Sequence, residues 1–132
     1  AALSPETEAL IADHVTAALK ASGFTFEPSA GPMIVTGGAF TVTRAVLAAQ
    51  VGKTIEEHSP VLQKEAITQL KSKLMRLPLH ERMAVPHLPA ARADIILAAL
   101  ITIDAVMNYA NRDTVTHSFY NLRYGIAAEL MP

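Results

Sequence analysis

Residues 33–44, MIVTGGAFTVTR, decide the fold of this chain. The apolar run at residues 33–35 follows Gly31-Pro32 and stops at a pair of glycines, which predicts a short buried strand. From Thr41 onward, apolar residues recur at helical spacing, so a helix is predicted to begin there. The order of strand, Gly-Gly turn and helix predicts an α/β domain.

The glycine pair suits an anion. Glycine lets the backbone turn sharply and lets a ligand come close, and the start of the following helix offers unpaired amides and a positive dipole end. Two interpretations stay open: Gly37-Gly38 is a tight connection within the domain, or it is the floor of a phosphate site at an open cleft. On the second interpretation, the candidate phosphate-binding residues are Gly37, Gly38 and Thr41, with Arg44 as a secondary candidate.

The composition indicates one globular domain or a large piece of one. The chain has 132 residues, 51% of them apolar, which is enough for a hydrophobic core. Its formal charge of −1 and its lack of lysine and arginine runs disfavour nucleic acid as a partner. It has no cysteine, hence no disulfide framework and no thiolate metal site. The lack of cysteine leaves the compartment open, with cytoplasm as the default. The longest apolar run, residues 95–101, is too short to span a bilayer, so no membrane segment is predicted.

Two Ser-Pro pairs are predicted helix starts. Ser4-Pro5 opens an amphipathic helix that ends at Gly23. Its apolar stripe is formed by Leu10, Ile11, Val15, Ala18 and Leu19. Ser59-Pro60 opens a second helix, whose buried stripe is Leu62, Ala66, Ile67, Leu70, Leu74 and Leu77. The lysines of this segment are predicted to form a solvated face: Lys64, Lys71 and Lys73.

The C-terminal half is predicted to contain the most apolar helix, from Pro89 to about Asn111, buried on most sides. Asp94 in its first turn is interpreted as favouring the helix dipole and pairing with Arg92 or another base. A short strand is predicted at residues 115–118 and a closing helix at residues 120–130. The fold class is therefore α/β, mostly helical with a few short strands.

Catalytic machinery is not visible in the pattern. No paired carboxylates stand out as an acid and base couple. A zinc motif would need a second histidine four residues after His80, and that position is Ala84. His117 and Ser118 are adjacent, so in a strand their side chains point to opposite faces and a hydrolase triad is not expected.

Four short motifs follow one another along the chain: VTGG at residues 35–38, LPLHER at 77–82, PAARADII at 89–96 and SFYNLRYG at 118–125. In this order they resemble the exopolyphosphatase and guanosine pentaphosphate phosphatase family, over roughly residues 31–131. The resemblance implies a structural family motif formed by Arg92, Asp94, Ser118, Arg123 and Gly125. In this motif, the Arg123 guanidinium is expected to tie the last helix to a carboxylate or to carbonyl groups at a helix end, in preference to the alternative of direct contact with substrate.

The resemblance implies the actin-like, sugar-kinase-like fold, a ribonuclease H-like architecture with two α/β domains facing a cleft. Residues 1–132 are then expected to be the C-terminal part of the second domain and a piece of a longer protein. The implied activity is a Mg²⁺-dependent phosphohydrolase that releases terminal phosphate from polyphosphate or the 5′-phosphate of guanosine pentaphosphate. The rest of the same polypeptide, upstream of Ala1, is expected to supply the general-base Glu, the Asp-x-Gly-Gly-Gly-Ser loop and the Mg²⁺ ligands. A second copy in a homodimer is a further candidate partner.

The resemblance gives this chain one wall of the phosphate cleft, and no hydrolysis is expected from these residues alone. Two other functions stay open: a noncatalytic regulatory module that binds a nucleotide or a partner protein, and a kinase of the same superfold. One local departure bears on the site. The family commonly places a threonine directly after its glycine, whereas Ala39-Phe40 separate Gly38 from Thr41 here.

Overall fold

The computed structural model describes residues 3–27, 31–120 and 122–131. The α-helices are α1 (Pro5–Ser22), α2 (Gly38–Gln50), α3 (Lys64–Met75), α4 (Leu79–Arg82), α5 (Ile96–Ala110) and α6 (Leu122–Leu130), with a 3₁₀ turn at Ala90–Arg92. The strands are β1 (Ile34–Val35), β2 (Val61–Gln63) and β3 (Thr114–His117). The predicted class, mostly helical with a few short strands, is confirmed.

The strands form one small mixed sheet in the order β1-β3-β2. β1 runs parallel to β3, pairing Ile34 with Thr116 and Val35 with His117, and β2 runs antiparallel to β3. The strand predicted at residues 33–35 is confirmed at residues 34–35. Only Val35 is buried, because β1 lies at the edge of the sheet and leaves Ile34 56% exposed.

α5 lies at the centre of the hydrophobic core, as its apolar sequence predicts, and α1 and α3 pack against it. Its buried residues include Ile96, Leu97, Leu100, Ile101, Ile103 and Met107. The stripe predicted for α1 is less complete, because no residue of this helix is fully buried and Leu10 is 70% exposed. Within the described residues, no helix is both long enough and apolar enough to cross a bilayer.

α5 begins at Ile96 and not at Pro89 as predicted. The intervening chain contains the 3₁₀ turn and then Ala93, which is fully buried. Arg82 Nε donates to the Ala93 carbonyl at 3.2 Å and so holds this segment to the core. Asp94 is therefore exposed and precedes the helix, outside its first turn. Its predicted ion pair, with Arg92 or another base, is absent from the part of the chain that the structure describes.

Ser59-Pro60 leads into a strand and not into a helix. The carbonyl of Pro60 accepts a hydrogen bond from His117 N at 2.8 Å, and residues 61–63 then pair with β3. α3 begins only at Lys64. Pairing with a distant strand has overridden the local helix signal, as tertiary context often does.

Lys71 is buried, which corrects its prediction as part of a solvated face. Its side chain is 9% exposed, and Nζ lies 3.1 Å from Asp104 Oδ2 and 3.8 Å from Glu8 Oε1. Thr68 Oγ1 also donates to Asp104, at 2.9 Å. Carboxylates from α5 and α1 thus compensate the lysine charge where the three helices meet, which is what a buried charge requires.

Candidate functional site

An open cleft of about 690 Å³ lies at the edge of the sheet where β1 and β3 end. Because these two strands are parallel, their carboxyl ends meet at this edge, which is where open α/β sheets commonly bind ligands. The described residues that line the cleft are Gly37, Gly38, Thr41, Val42, Arg92, Ser118, Phe119, Tyr124 and Ala127. The glycine turn therefore lies at an open surface and is not sealed beneath α5.

Gly37 makes the turn from β1 into α2. Its backbone has φ 107° and ψ 169°, a conformation that costs a residue with a side chain about 1 kcal/mol or more. The bond from Thr41 N to Gly37 O, at 3.0 Å, is the first of the helix, so α2 begins at Gly38 and not at Thr41 as predicted. The amides of Gly38, Ala39 and Phe40 precede that bond and form the positive end of the helix dipole.

The guanidinium of Arg92 lies against Gly38. A Cβ built at residue 38 would stand 2.8 Å from Arg92 Cζ, closer than real contacts allow. Glycine at this position thus lets the positive charge reach the helix start. Arg92 is exposed and forms no ion pair within the described ranges. The motif resemblance gave Arg92 a structural role, and its position in the cleft was missed because it depends on how the 3₁₀ turn packs against α2.

A chain of side-chain hydrogen bonds runs beneath the glycine turn. Thr41 Oγ1 donates to Gly37 O at 3.0 Å and lies 3.2 Å from His117 Nε2. The other ring nitrogen, Nδ1, lies 3.2 Å from Arg44 Nη1, and Arg44 Nη2 donates to His58 O at 2.7 Å. Arg44 is 5% exposed and does not line the cleft. The structure therefore does not bring this secondary phosphate candidate to the site.

His117 is neutral at physiological pH. Burial, and then the positive charge of Arg44, lower the pKa of its imidazole below the ordinary value of 6.5. A guanidinium only donates hydrogen bonds, so Nδ1 accepts from Arg44 and Nε2 carries the hydrogen toward Thr41. Along the chain, His117 is 73 positions from Arg44 and 76 positions from Thr41. No local pattern in the sequence therefore predicts these contacts.

The remaining candidates have different positions. Ser118 lines the cleft, as does Tyr124, which the sequence did not single out. Asp94 is exposed but is not among the lining residues. Gly125 lies in α6, where an added Cβ would meet no described atom within 4 Å, so no close contact requires glycine there. The side chain of Arg123 lies outside the described residues, and its role stays a prediction.

The cleft, as this chain forms it, does not fit a Mg²⁺ site. Among the described residues, its lining side chains supply hydroxyls and one guanidinium but no carboxylate. Mg²⁺ is usually held through carboxylates and substrate phosphates. Across the residues that the structure describes, no three His, Asp or Glu side chains are grouped so that they could hold a metal ion.

Comparisons with protein-family models and with curated proteins find no match. Solved structures do share the fold. A Ppx/GppA family member from Aquifex aeolicus matches with a TM-score of 0.81 at 18% identity, over 96% of this chain and 40% of its own. An exopolyphosphatase from Cytophaga hutchinsonii matches with a TM-score of 0.75 at 17% identity, over 97% and 42%. The type II variant of the Aquifex aeolicus Ppx/GppA phosphatase matches with a TM-score of 0.72 at 20% identity, over 95% and 40%.

These matches confirm the resemblance to Ppx/GppA and exopolyphosphatase structures as a likeness of fold. The chain spans about 40% of the length of the structures it matches. It has, in consequence, the architecture of part of an actin-like domain.

Proposed function

We propose that this chain is part of a longer phosphohydrolase of the exopolyphosphatase type and forms one wall of its phosphate cleft. The observation that carries the proposal is the convergence of the Gly37-Gly38 turn, the start of α2 and the Arg92 guanidinium on one open cleft. The fold shared with Ppx/GppA structures supports it. The proposed substrates are polyphosphate and guanosine pentaphosphate, which both end in a phosphate group.

The anion binds between the start of α2 and Arg92. The amides of Gly38 and its two successors donate to the anion oxygens, and the helix dipole adds a partial positive charge. Arg92 adds a full charge and a planar fork of donors that suits phosphate oxygens. Ser118 Oγ accepts from Tyr120 N at 3.1 Å and keeps its own proton for donation to the anion.

Thr41 supports this site from behind. Its hydroxyl donates its single proton to Gly37 O and accepts from His117 Nε2. A hydroxyl engaged in this way has no proton left for a phosphate oxygen. Thr41 therefore supports the glycine turn, and direct contact with phosphate comes from the amides, Arg92 and Ser118.

Hydrolysis needs groups from the rest of the polypeptide. Transfer of a phosphoryl group to water requires an oriented water molecule and neutralisation of the charge on the transferring group. Arg92 and the α2 amides contribute to the neutralisation. The general base and the Mg²⁺ ligands come from other residues, since the described part of the cleft lining contains no carboxylate. The 132-residue chain therefore binds anions without hydrolysing them.

Pyrophosphate titration of Arg92 variants by calorimetry tests the proposal. Arg92→Ala should weaken binding about tenfold or more, the value of one charge-assisted hydrogen bond of about 1.4 kcal/mol. Arg92→Lys should bind with intermediate affinity, because it keeps the charge and loses the fork. Arg76→Ala is the matched control: Arg76 is also exposed, and its Nε donates to Ser72 O outside the cleft. Equal losses in Arg92→Ala and Arg76→Ala would contradict a specific site.

A noncatalytic binding module is the second candidate function, favoured by the lack of carboxylates among the cleft-lining residues that the structure describes. The longer polypeptide distinguishes the two. Mg²⁺-dependent release of phosphate from polyphosphate or guanosine pentaphosphate, abolished or reduced by Arg92→Ala, supports the hydrolase. Pyrophosphate binding without release of phosphate from either substrate supports the binding module.

A further inference from the structure

The hydrogen-bonded chain from Arg44 through His117 to Thr41 ends on the peptide group that follows Gly37. The Gly37 carbonyl accepts from both Thr41 N and Thr41 Oγ1, each at 3.0 Å. This carbonyl and the N–H of Gly38 belong to the same planar trans peptide and point in opposite directions. Holding the carbonyl toward the body of α2 therefore holds the Gly38 N–H toward the cleft.

We infer that His117 is a positioning residue for anion binding: as the neutral Nε2–H tautomer, it holds Thr41 and, through Thr41, the peptide that presents the Gly38 amide to the anion. His117 does not itself touch the ligand. The inference rests on the proposed function for the anion, whereas the tautomer and the orientation of the peptide are properties of the free protein.

The direction of every bond in the chain is fixed at Arg44. Its Nη1 donates to His117 Nδ1, so the ring hydrogen is on Nε2 and is donated to Thr41 Oγ1. The threonine hydroxyl then donates to Gly37 O. In an imidazolium, Nδ1 also carries a hydrogen, and two donors and two positive charges face each other across 3.2 Å. Protonation of His117 therefore breaks the first hydrogen bond of this series, between Arg44 Nη1 and His117 Nδ1.

No carboxylate offsets a proton on this imidazole within the described residues. Arg44 from α2 is the charge that faces it, and this buried guanidinium has no ion pair there and leaves its Nε without a hydrogen-bond partner. Phe119 packs edge-on against the imidazole and lies 5.2 Å from Arg44 Cζ. The flanking strands present no ionisable side chain at residues 34–35 or 61–63. His58 faces Arg44 with its backbone carbonyl, and its own ring bonds to the next carbonyl along the chain.

The affinity for anions at low pH distinguishes a positioning role of His117 from a purely electrostatic effect of its charge. A proton on His117 adds positive charge beneath the cleft, so electrostatics alone would strengthen anion binding. A positioning role predicts the opposite. The imidazolium keeps its Nε2–H, but it loses the Arg44 bond at Nδ1 and is repelled by that guanidinium, so the ring shifts and no longer holds Thr41 and the Gly38 peptide in place. Sulfate is a suitable probe, since its charge does not change between about pH 5 and pH 8, where histidine titrates.

NMR of the unliganded chain tests the positioning chain directly. Long-range ¹⁵N spectra should show the Nε2–H tautomer at His117, and the Gly38 amide should titrate with the pKa of His117. In Thr41→Val, His117 still titrates but the Gly38 amide no longer follows it. Thr102→Val is the matched control, because it also removes a hydroxyl that donates to a helix carbonyl, at 2.7 Å in α5, and should leave the Gly38 response intact. An Nδ1–H tautomer, or a Gly38 amide indifferent to His117, would overturn the inference.

Sulfate titration then tests the consequence for binding. The wild type should lose about fivefold in affinity when the pH falls below the pKa of His117, the value of one hydrogen bond of about 1 kcal/mol. Thr41→Val should show the weaker affinity at every pH. Tighter binding at low pH in the wild type would overturn the positioning role. Absence of sulfate binding near Gly38 at any pH would refute the proposed function and the role of His117 in anion binding. The tautomer of His117 and the titration of the Gly38 amide independently test whether His117 orients the peptide through Thr41.

Discussion

Replacing Gly38 with alanine should weaken anion binding without unfolding the protein. The new Cβ would stand 2.8 Å from Arg92 Cζ, against 3.4 Å or more for ordinary contacts, so the guanidinium must move away from the turn. Arg92 is exposed and meets residue 38 only with the end of its long side chain, which makes that movement cheap for the fold. Gly38 has no positive φ, and alanine is the better residue in a helix by up to about 1 kcal/mol. We expect the free energy of unfolding to stay unchanged or to rise.

Affinity for pyrophosphate should fall about tenfold in Gly38→Ala, because the displaced guanidinium loses one charge-assisted hydrogen bond of about 1.4 kcal/mol. Calorimetric titration measures the affinity, and urea unfolding measures the stability. Gly125→Ala is the matched control, since it adds the same methyl group to a helical glycine with open space around it. Unchanged affinity in Gly38→Ala, or an equal loss in Gly125→Ala, would refute the reasoning.

Three further predictions concern stability and activity. Asp104→Ala should destabilise the fold by about 3 kcal/mol in urea unfolding, because it leaves buried Lys71 with only the more distant Glu8, and a change below about 1 kcal/mol would contradict the buried ion pair. The free energy of unfolding should decrease as the pH falls through about 6.5, since the unfolded chain then protonates His117 before the folded chain does, and should stop decreasing from this cause below the lowered folded pKa. Urea unfolding across this pH range checks the sign of the change. A free energy of unfolding that rises on acidification would contradict the prediction. The purified chain with Mg²⁺ should release no phosphate from polyphosphate or guanosine pentaphosphate above a buffer control, and release would show that it holds its own general base.

Local signals in the sequence were sufficient to predict the parts of the structure that depend on contacts between neighbouring residues in the chain. Ser4 caps α1 by accepting from Thr7 N at 3.2 Å, and Gly23 ends it in the left-handed conformation, as predicted. The strand and helix on either side of Gly37 were predicted for the same reason. The start of α2 was predicted too late, at Thr41. Gly37 is the N-cap of the helix, so its first turn begins at Gly38, among residues that the apolar periodicity does not mark.

Contacts between distant residues account for what the sequence did not predict. Lys71 was assigned to solvent because the pattern of one helix cannot show a carboxylate 33 positions away on another. Ser59-Pro60 was assigned to a helix because its pairing partner in β3 lies far along the chain. In the site, the glycine turn was found from sequence, whereas the approach of Arg92 and the support from His117 exist only once the fold has brought three segments together.

The most direct test of the central claim is a titration of the ¹⁵N-labelled chain with pyrophosphate, followed through its amide and arginine side-chain resonances. The account predicts saturable shifts of the amides of Gly38, Ala39 and Phe40 together with Arg92 Nε, all giving one dissociation constant. Shifts spread over the exposed lysines, with the Gly38 amide and Arg92 Nε unmoved at saturation, would contradict it.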